Sequence, residues 1–294
     1  MKRRKFIQSS ALSVISVSAF GFIQFDGKKY IGDCETTTDI LGPFYRPDSP
    51  MRSNLNVAGK KGKPIHLTGI IMNDDCDTPY ANAKVELWHC DEEGVYDNST
   101  PAYNYRGTVM TDSKGQYSFD TILPVPYDAG GGMIRPAHYH LMITAEGYQT
   151  LVTQLYFSGD ENIKKDPWAS NDAAKNRVLQ VTPDGNNGSI VSYNVGLSKK
   201  LGMEKASLEK LVGIYKSEDG EEGKIELFQK EGRLWIKNEV FGIAFDYLGD
   251  NTFDYPGLHD GSYRRMIFQP DGKFKLEMFR PGSEIQSQSY IKVS

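Results

Sequence analysis

Cysteine is almost missing from this chain. Only Cys34, Cys76 and Cys90 occur in 294 residues. Three are too few for a disulfide-built fold, they form no Cys-x-x-Cys pair, and an odd count leaves at least one thiol unpaired within the chain. Basic excess is missing too. The formal net charge is −4, which carries no footprint of nucleic-acid binding. No Gly-x-Ser-x-Gly elbow and no suitably placed Ser-x-x-Lys occurs, so the common serine hydrolase machinery is absent. Histidine is scarce at five residues, which makes any clustering of them informative. What is plentiful points to β structure: 12% aromatics and 29 glycines suit short strands joined by many turns.

Long apolar runs are absent except near the start. Met1-Lys2-Arg3-Arg4-Lys5 is a charged segment, and residues 6–23 are moderately apolar. Arg3-Arg4-Lys5-Phe6-Ile7 resembles a twin-arginine export signal, which carries proteins out already folded. Export to the periplasm or beyond is therefore expected. The run is short and broken by Ser and Gln8, so a permanent transmembrane helix is not expected, and membrane association would be through this signal only. Asp33 before Cys34 fits a lipobox poorly, which disfavours a lipid anchor.

The chain then divides into three parts: 1–33 as export signal and linker, 34–200 as a first β unit, and 207–294 as a second. In the first, residues 65–72 and 83–89 alternate with period two, putting Val85 and Leu87 on one face and Glu86 and Trp88 on the other. Residues 108–111 and 116–121 flank the turn Asp112-Ser113-Lys114-Gly115 and read as a hairpin. Residues 138–144 and 150–157 form a further pair. Short strands at this spacing predict a β-sandwich. Residues 198–210 form a charged connector with some helical character. Beyond it, short alternating strands at 224–229, 233–237, 263–269, 274–279 and 287–293 predict a small antiparallel β domain, loosely lipocalin-like, of a size that folds alone.

The chemistry concentrates in Arg135-Pro136-Ala137-His138-Tyr139-His140. Residues two apart on a strand share a face, so His138 and His140 point the same way. Tyr96 and Tyr127 lie upstream in turn-like segments. A phenol keeps its proton to a pH of ~10 in water, but a hard trivalent cation binds the phenolate strongly enough to displace it. Two phenolates and a hydroxide neutralise Fe(III), and two imidazoles complete the set. Zinc prefers Cys, His and carboxylate donors. Against this stands a bland alternative: a His-x-His pair alone is more often structural, and tyrosine is common here at 17 copies.

The flanking residues carry a resemblance. Leu87-Trp88-His89-Cys90-Asp91-Glu92-Glu93-Gly94-Val95-Tyr96, then Gly115-Gln116-Tyr117-Ser118-Phe119-Asp120, Pro124-Val125-Pro126-Tyr127, the Arg135–His140 segment and Leu151–Asp160 together resemble the intradiol ring-cleavage dioxygenases, most closely a secreted, protocatechuate 3,4-dioxygenase-like branch. The likeness runs from about 38 to about 197.

It implies one Fe(III) per chain, with Tyr127 and His140 as axial and Tyr96 and His138 as equatorial ligands. It implies a catechol-type substrate and O2, giving a cis,cis-muconate-type diacid. Arg135 would face the bound ring, Ile40 and Pro43 would line its pocket, and Gln154 would hydrogen-bond a ligand. His89, Trp88 and Phe119 read as structural. The alternative is a non-catalytic sandwich that has lost iron and only binds. Cys34 and Cys76 are the favoured disulfide, with Cys90 as competitor. Which catechol is used and the oligomeric state stay open.

Overall fold

The computed structural model describes residues 35–185, 187–218, 223–237 and 243–294, with the backbone of Ile23–Phe25 and Tyr30–Gly32. Residues 1–22 of the expected export signal, and Cys34, lie outside the described residues. Cys76 is disulfide-bonded, and Cys90 is a free, buried thiol.

The first unit is a sandwich of two five-stranded sheets, as expected. Its back sheet is built on β1 (Pro64–Met72), flanked by β4 (Gln116–Ile122) on one side and the later segments Ser189–Ser192 and Val195–Gly196 on the other. Its front sheet runs Val178–Leu179, β8 (Leu151–Phe157), β7 (His138–Thr144), β2 (Lys84–Trp88), β3 (Arg106–Met110). Inward side chains meet between the sheets: Leu67 and Phe119 from the back, Val85, Leu87, Tyr139, Leu141, Ile143 and Leu155 from the front. Each such fully buried side chain contributes roughly 1.5–3 kcal/mol of hydrophobic stabilisation.

The expected hairpin across 112–115 is not one. β3 pairs with β2 and β4 pairs with β1, so the turn carries the chain from one sheet to the other. Asp112 makes the crossing compact, its carboxylate accepting from the amides of Lys114 and Gln116. Alternation marks each strand but not which layer it joins, so both readings suited the sequence.

The connector forms α1 (Lys205–Leu211). Beyond it, β9 (Gly213–Ser217), β10 (Lys224–Lys230), β11 (Arg233–Ile236), β12 (Asp246–Gly249), β13 (Thr252–Asp254), β14 (Tyr263–Phe268), β15 (Lys273–Phe279) and β16 (Gln286–Lys292) form one antiparallel sheet. A bridge between Leu234 and Phe245 brings its two ends together, so it curls into a nearly closed barrel. Phe253, Met266, Phe268, Phe274 and Tyr290 fill it.

The barrel packs on the outer face of the front sheet. Leu41, Tyr45, Trp88, Met142 and Val152 belong to the same buried apolar cluster as the barrel interior. Polar ties reinforce the contact: the Thr150 amide donates to Asp246 at 2.6 Å, and Arg233 donates to the Thr150 hydroxyl and the Tyr148 carbonyl. This explains why β2, β7 and β8 are buried on both faces, although only one face meets the sandwich core.

Candidate metal centre

His138 and His140 lie on β7, whose neighbours in register are Trp88 and Gln154, both opposite His140. The alternation that sends Tyr139 and Leu141 into the core sends both imidazoles to the outer face. The four residues therefore meet outside the sandwich, under the arm at 39–45 and the barrel.

They do meet. His138 Nε2 lies 3.2 Å from His140 Nε2 and 3.4 Å from Tyr96 Oη. Tyr127 stands edge-on to Tyr96, ring centroids 5.5 Å apart, and 5.7 Å from the His138 ring. The His138 Nδ1–H donates to the Pro136 carbonyl at 2.6 Å, which leaves its Nε2 as a bare lone pair. Burial holds both imidazoles neutral, His138 pushed down to about 3 and His140 well below its usual value. Burial also raises both phenols, Tyr96 strongly. Two neutral ring nitrogens face each other at contact distance beside two phenol oxygens, and His140 Nδ1 is buried without a partner. This donor set fits a hard cation, and one that binds phenolate.

Each donor is held by packing. Trp88 stacks flat on His140, centroids 4.9 Å apart and planes 8° apart. Trp88 therefore faces the site, where a core role was expected. Phe44 stacks on Tyr96 at 4.3 Å. Arg106, fully buried, donates to the carbonyls of Phe44 (2.6 Å) and Asp97 (2.8 Å), clamping Phe44 and the residue after Tyr96 together. Tyr127 on β5 (Tyr127–Asp128) pairs directly with Arg135 on β6 (Ile134–Arg135) in a two-residue ladder closed by the turn at 129–133.

Two glycines are required. Gly42 has φ +74°, and a Cβ there would lie 3.0 Å from His140 Cε1. Gly94 has φ +80°, and its Cβ would lie 2.9 Å from Tyr127 Cβ. Both positions combine a left-handed backbone with no room for a side chain.

Arg135 is buried beside the donors. It donates to Asp166 (2.5 Å) and Gln154 (2.7 Å), and its guanidinium lies 4.5 Å from the Trp168 ring centroid. Burial opposes its charge, but Tyr156, Asp166 and Tyr127 outweigh that and raise its pKa. Gln154 also donates to the Ile40 carbonyl at 2.8 Å. Among the described residues it bonds no ligand, so its expected role is corrected to holding Arg135 and the arm. The network continues through Tyr156 to Asp39, and Asp39 is ion-paired with buried Arg177. A buried polar network of this kind orients its members because each lost partner would leave a further buried polar atom unsatisfied.

Ile40 and Pro43 line a cleft beside the site. His89 is structural, bonded to the Cys90 carbonyl and the Thr121 hydroxyl, and Phe119 is in the core. Asp39, Tyr156, Asp166, Trp168 and Arg177 were not singled out from sequence. Tyr156 lies inside a motif segment, but nothing periodic marks Asp166-Pro167-Trp168.

Residues 40–198 match the model of the family described as Dioxygenase. The chain is 37% identical over 141 residues to a catechol 1,2-dioxygenase of Candida albicans, covering 41% of this chain and 46% of that protein. It is 31% identical over 186 residues to a chlorocatechol 1,2-dioxygenase of Rhodococcus opacus, covering 54% and 71%. The crystal structure of 3-chlorocatechol 1,2-dioxygenase from Rhodococcus opacus 1CP superposes with a TM-score of 0.51 at 25% identity, over 56% of this chain and 74% of that one. The chain spans about half the length of the first of these relatives, and the family match ends before the barrel. Its matched motifs, sandwich fold and clustered tyrosines and histidines together make this chain a member of the intradiol ring-cleavage dioxygenase family.

Proposed function

We propose that the protein is an Fe(III)-dependent intradiol dioxygenase, cleaving a catechol-type ring between its two hydroxylated carbons with O2 to give a cis,cis-muconate-type diacid. The observation that carries this is that Tyr96 Oη and His140 Nε2 both lie within 3.4 Å of His138 Nε2, with Tyr127 beside them. These four would hold one iron per chain. When bound, Fe(III) supplies Lewis acidity and an electron sink.

The chain's own groups do the rest. Tyr127, less buried than Tyr96, would be a phenolate when it holds the metal, and as the phenolate its Oη would take the proton of an incoming catechol hydroxyl. Arg135, a planar and permanent cation, is pinned by Asp166 and Gln154 so that its charge is in place before the reaction. Stabilising negative charge that develops on the ring is worth about 3–4 kcal/mol per such donor. Trp88 and Phe44 keep water from His140 and Tyr96. Export belongs to the same proposal, supported by Arg3-Arg4 and by a disulfide at Cys76, since such bonds persist in oxidising compartments.

The test is purified full-length protein. Metal analysis should find one iron per chain with a visible tyrosinate-to-iron band. Catechol should consume one O2 per ring and yield the diacid. A colourless protein that cannot be loaded with iron would instead be the non-catalytic binding module.

A further inference from the structure

The barrel does more than cover the donors. Between it and the sandwich lies a cleft of about 980 Å³. Its inner side is Ile40–Pro43 with Pro167 and Trp168; its outer side is made by barrel residues, Tyr255 to Arg264 and Met278 to Gln286. None of the four donors lines the cleft, but two residues of its inner wall touch their group. Gly42 abuts His140, and Trp168 lies against Arg135. The two walls are locked together. The Leu41 amide donates to the Gly257 carbonyl at 3.2 Å, the Asn171 amide group meets His259 Nε2 at 2.6 Å, and a Cβ on Gly257 would lie 3.0 Å from Leu41 Cβ.

Volume and charge say what such a cleft takes. Pockets for ligands of drug size span roughly 300–1,000 Å³, and a bare catechol ring fills only a fraction of that. On the barrel wall, Tyr263 and Phe279 are stacked at 5.4 Å. Arg280 supplies positive charge on this wall, with Glu284 as the acidic residue among the described lining, in a chain whose net charge is −4. Among the described residues the exposed Arg280 guanidinium makes no ion pair, so it is available to an anion.

We propose that the barrel wall is a subsite for the substrate's ring substituent. The substrate is then a catechol bearing a side chain of several atoms that ends in a carboxylate. The catechol end lies toward the donors, the chain lies along Tyr263 and Phe279, and the carboxylate meets Arg280. This rests on the ring-cleavage reading above.

The test uses full-length, iron-loaded protein with catechol and 3-(3,4-dihydroxyphenyl)propanoate, followed by oxygen uptake. The acid should have at least a tenfold higher kcat/KM, arising in KM. Arg280→Glu should cut kcat/KM for the acid about tenfold more than for catechol, because it places like charges together, and Arg280→Lys should retain most of the preference. Equal kcat/KM for the two substrates overturns the proposal, as does a preference that Arg280→Glu leaves intact. Calorimetry with 3-phenylpropanoate, which has no ring hydroxyls, separates this from the ring-cleavage reading. If neither catechol is cleaved but wild-type protein binds 3-phenylpropanoate and Arg280→Glu does not, ring cleavage falls and the subsite stands. If both proteins bind it alike, the subsite falls.

Discussion

The two faces of β7 are built from alternate residues of one strand, yet they do opposite things. Tyr139, Leu141 and Ile143 face the sandwich core, where apolar side chains fill space and contribute stability. His138, His140 and Met142 face the barrel, where polar atoms are crowded, desolvated and only partly satisfied. The core face is held by non-directional burial, and a volume change there is felt as stability. The outer face is held by directed contacts, with stacked rings, carbonyl acceptors and a buried ion pair, and a change there is felt as chemistry. One strand can carry both because the barrel seals the second face, which a lone sandwich would leave wet.

The comparison can be broken at its most polar point. Replacing His140 with Ala should abolish the visible band and ring cleavage while the far-UV spectrum stays β-like. Full iron content in that variant would remove His140 from the donor set.

A comparably large effect should come from removing the barrel. Every site residue expected from the sequence precedes residue 200, so on sequence alone a chain ending near there would keep iron. The shared cluster argues otherwise, because truncation uncovers Leu41, Tyr45, Trp88, Met142 and Val152 together. A contiguous exposed apolar patch of this kind promotes association. The truncated chain should bind a hydrophobic dye strongly, aggregate and hold little iron. A soluble, iron-replete product would show that the sandwich needs no cover.

Arg135→Leu should lower turnover by about 10²–10³ through loss of charge stabilisation. It also strands Asp166, whose carboxylate is buried opposite it. Leaving one partner of a buried pair alone costs about 3–5 kcal/mol, so the urea midpoint should fall as well. Mixing the anaerobic enzyme–catechol complex with oxygen isolates the first effect. An unchanged oxygen reaction would make Arg135 a structural neighbour only.

Gly42→Ala should act on the outer face without touching any donor atom. The added methyl meets His140 at 3.0 Å on a left-handed backbone, and disturbing a ligand's surroundings typically costs about 10–100-fold in metal affinity. Competition with an iron chelator would read it. The smallest effect on chemistry should come from the core face. Leu141→Ala should lose about 2–5 kcal/mol of stability with the iron band unchanged at low temperature. A shifted band would mean the two faces are coupled through the strand.

Much of this was legible beforehand. The 3.3–3.4 Å rise and two-residue period of a strand are local properties, so the strands, the shared face of His138 and His140, and the turns carrying Tyr96 and Tyr127 could be read from residue order. Tertiary structure decided the rest. It decided that β3 and β4 belong to different sheets, because strand pairing is a long-range choice that alternation does not encode. It decided which face of β7 is the core, because period two says only that two faces differ. It brought Asp166 and Trp168 to Arg135 from about thirty positions away, and moved Gln154 from a ligand to that arginine. And it set the barrel over the site, because burying an apolar face depends on which surfaces are left to meet once each unit has folded.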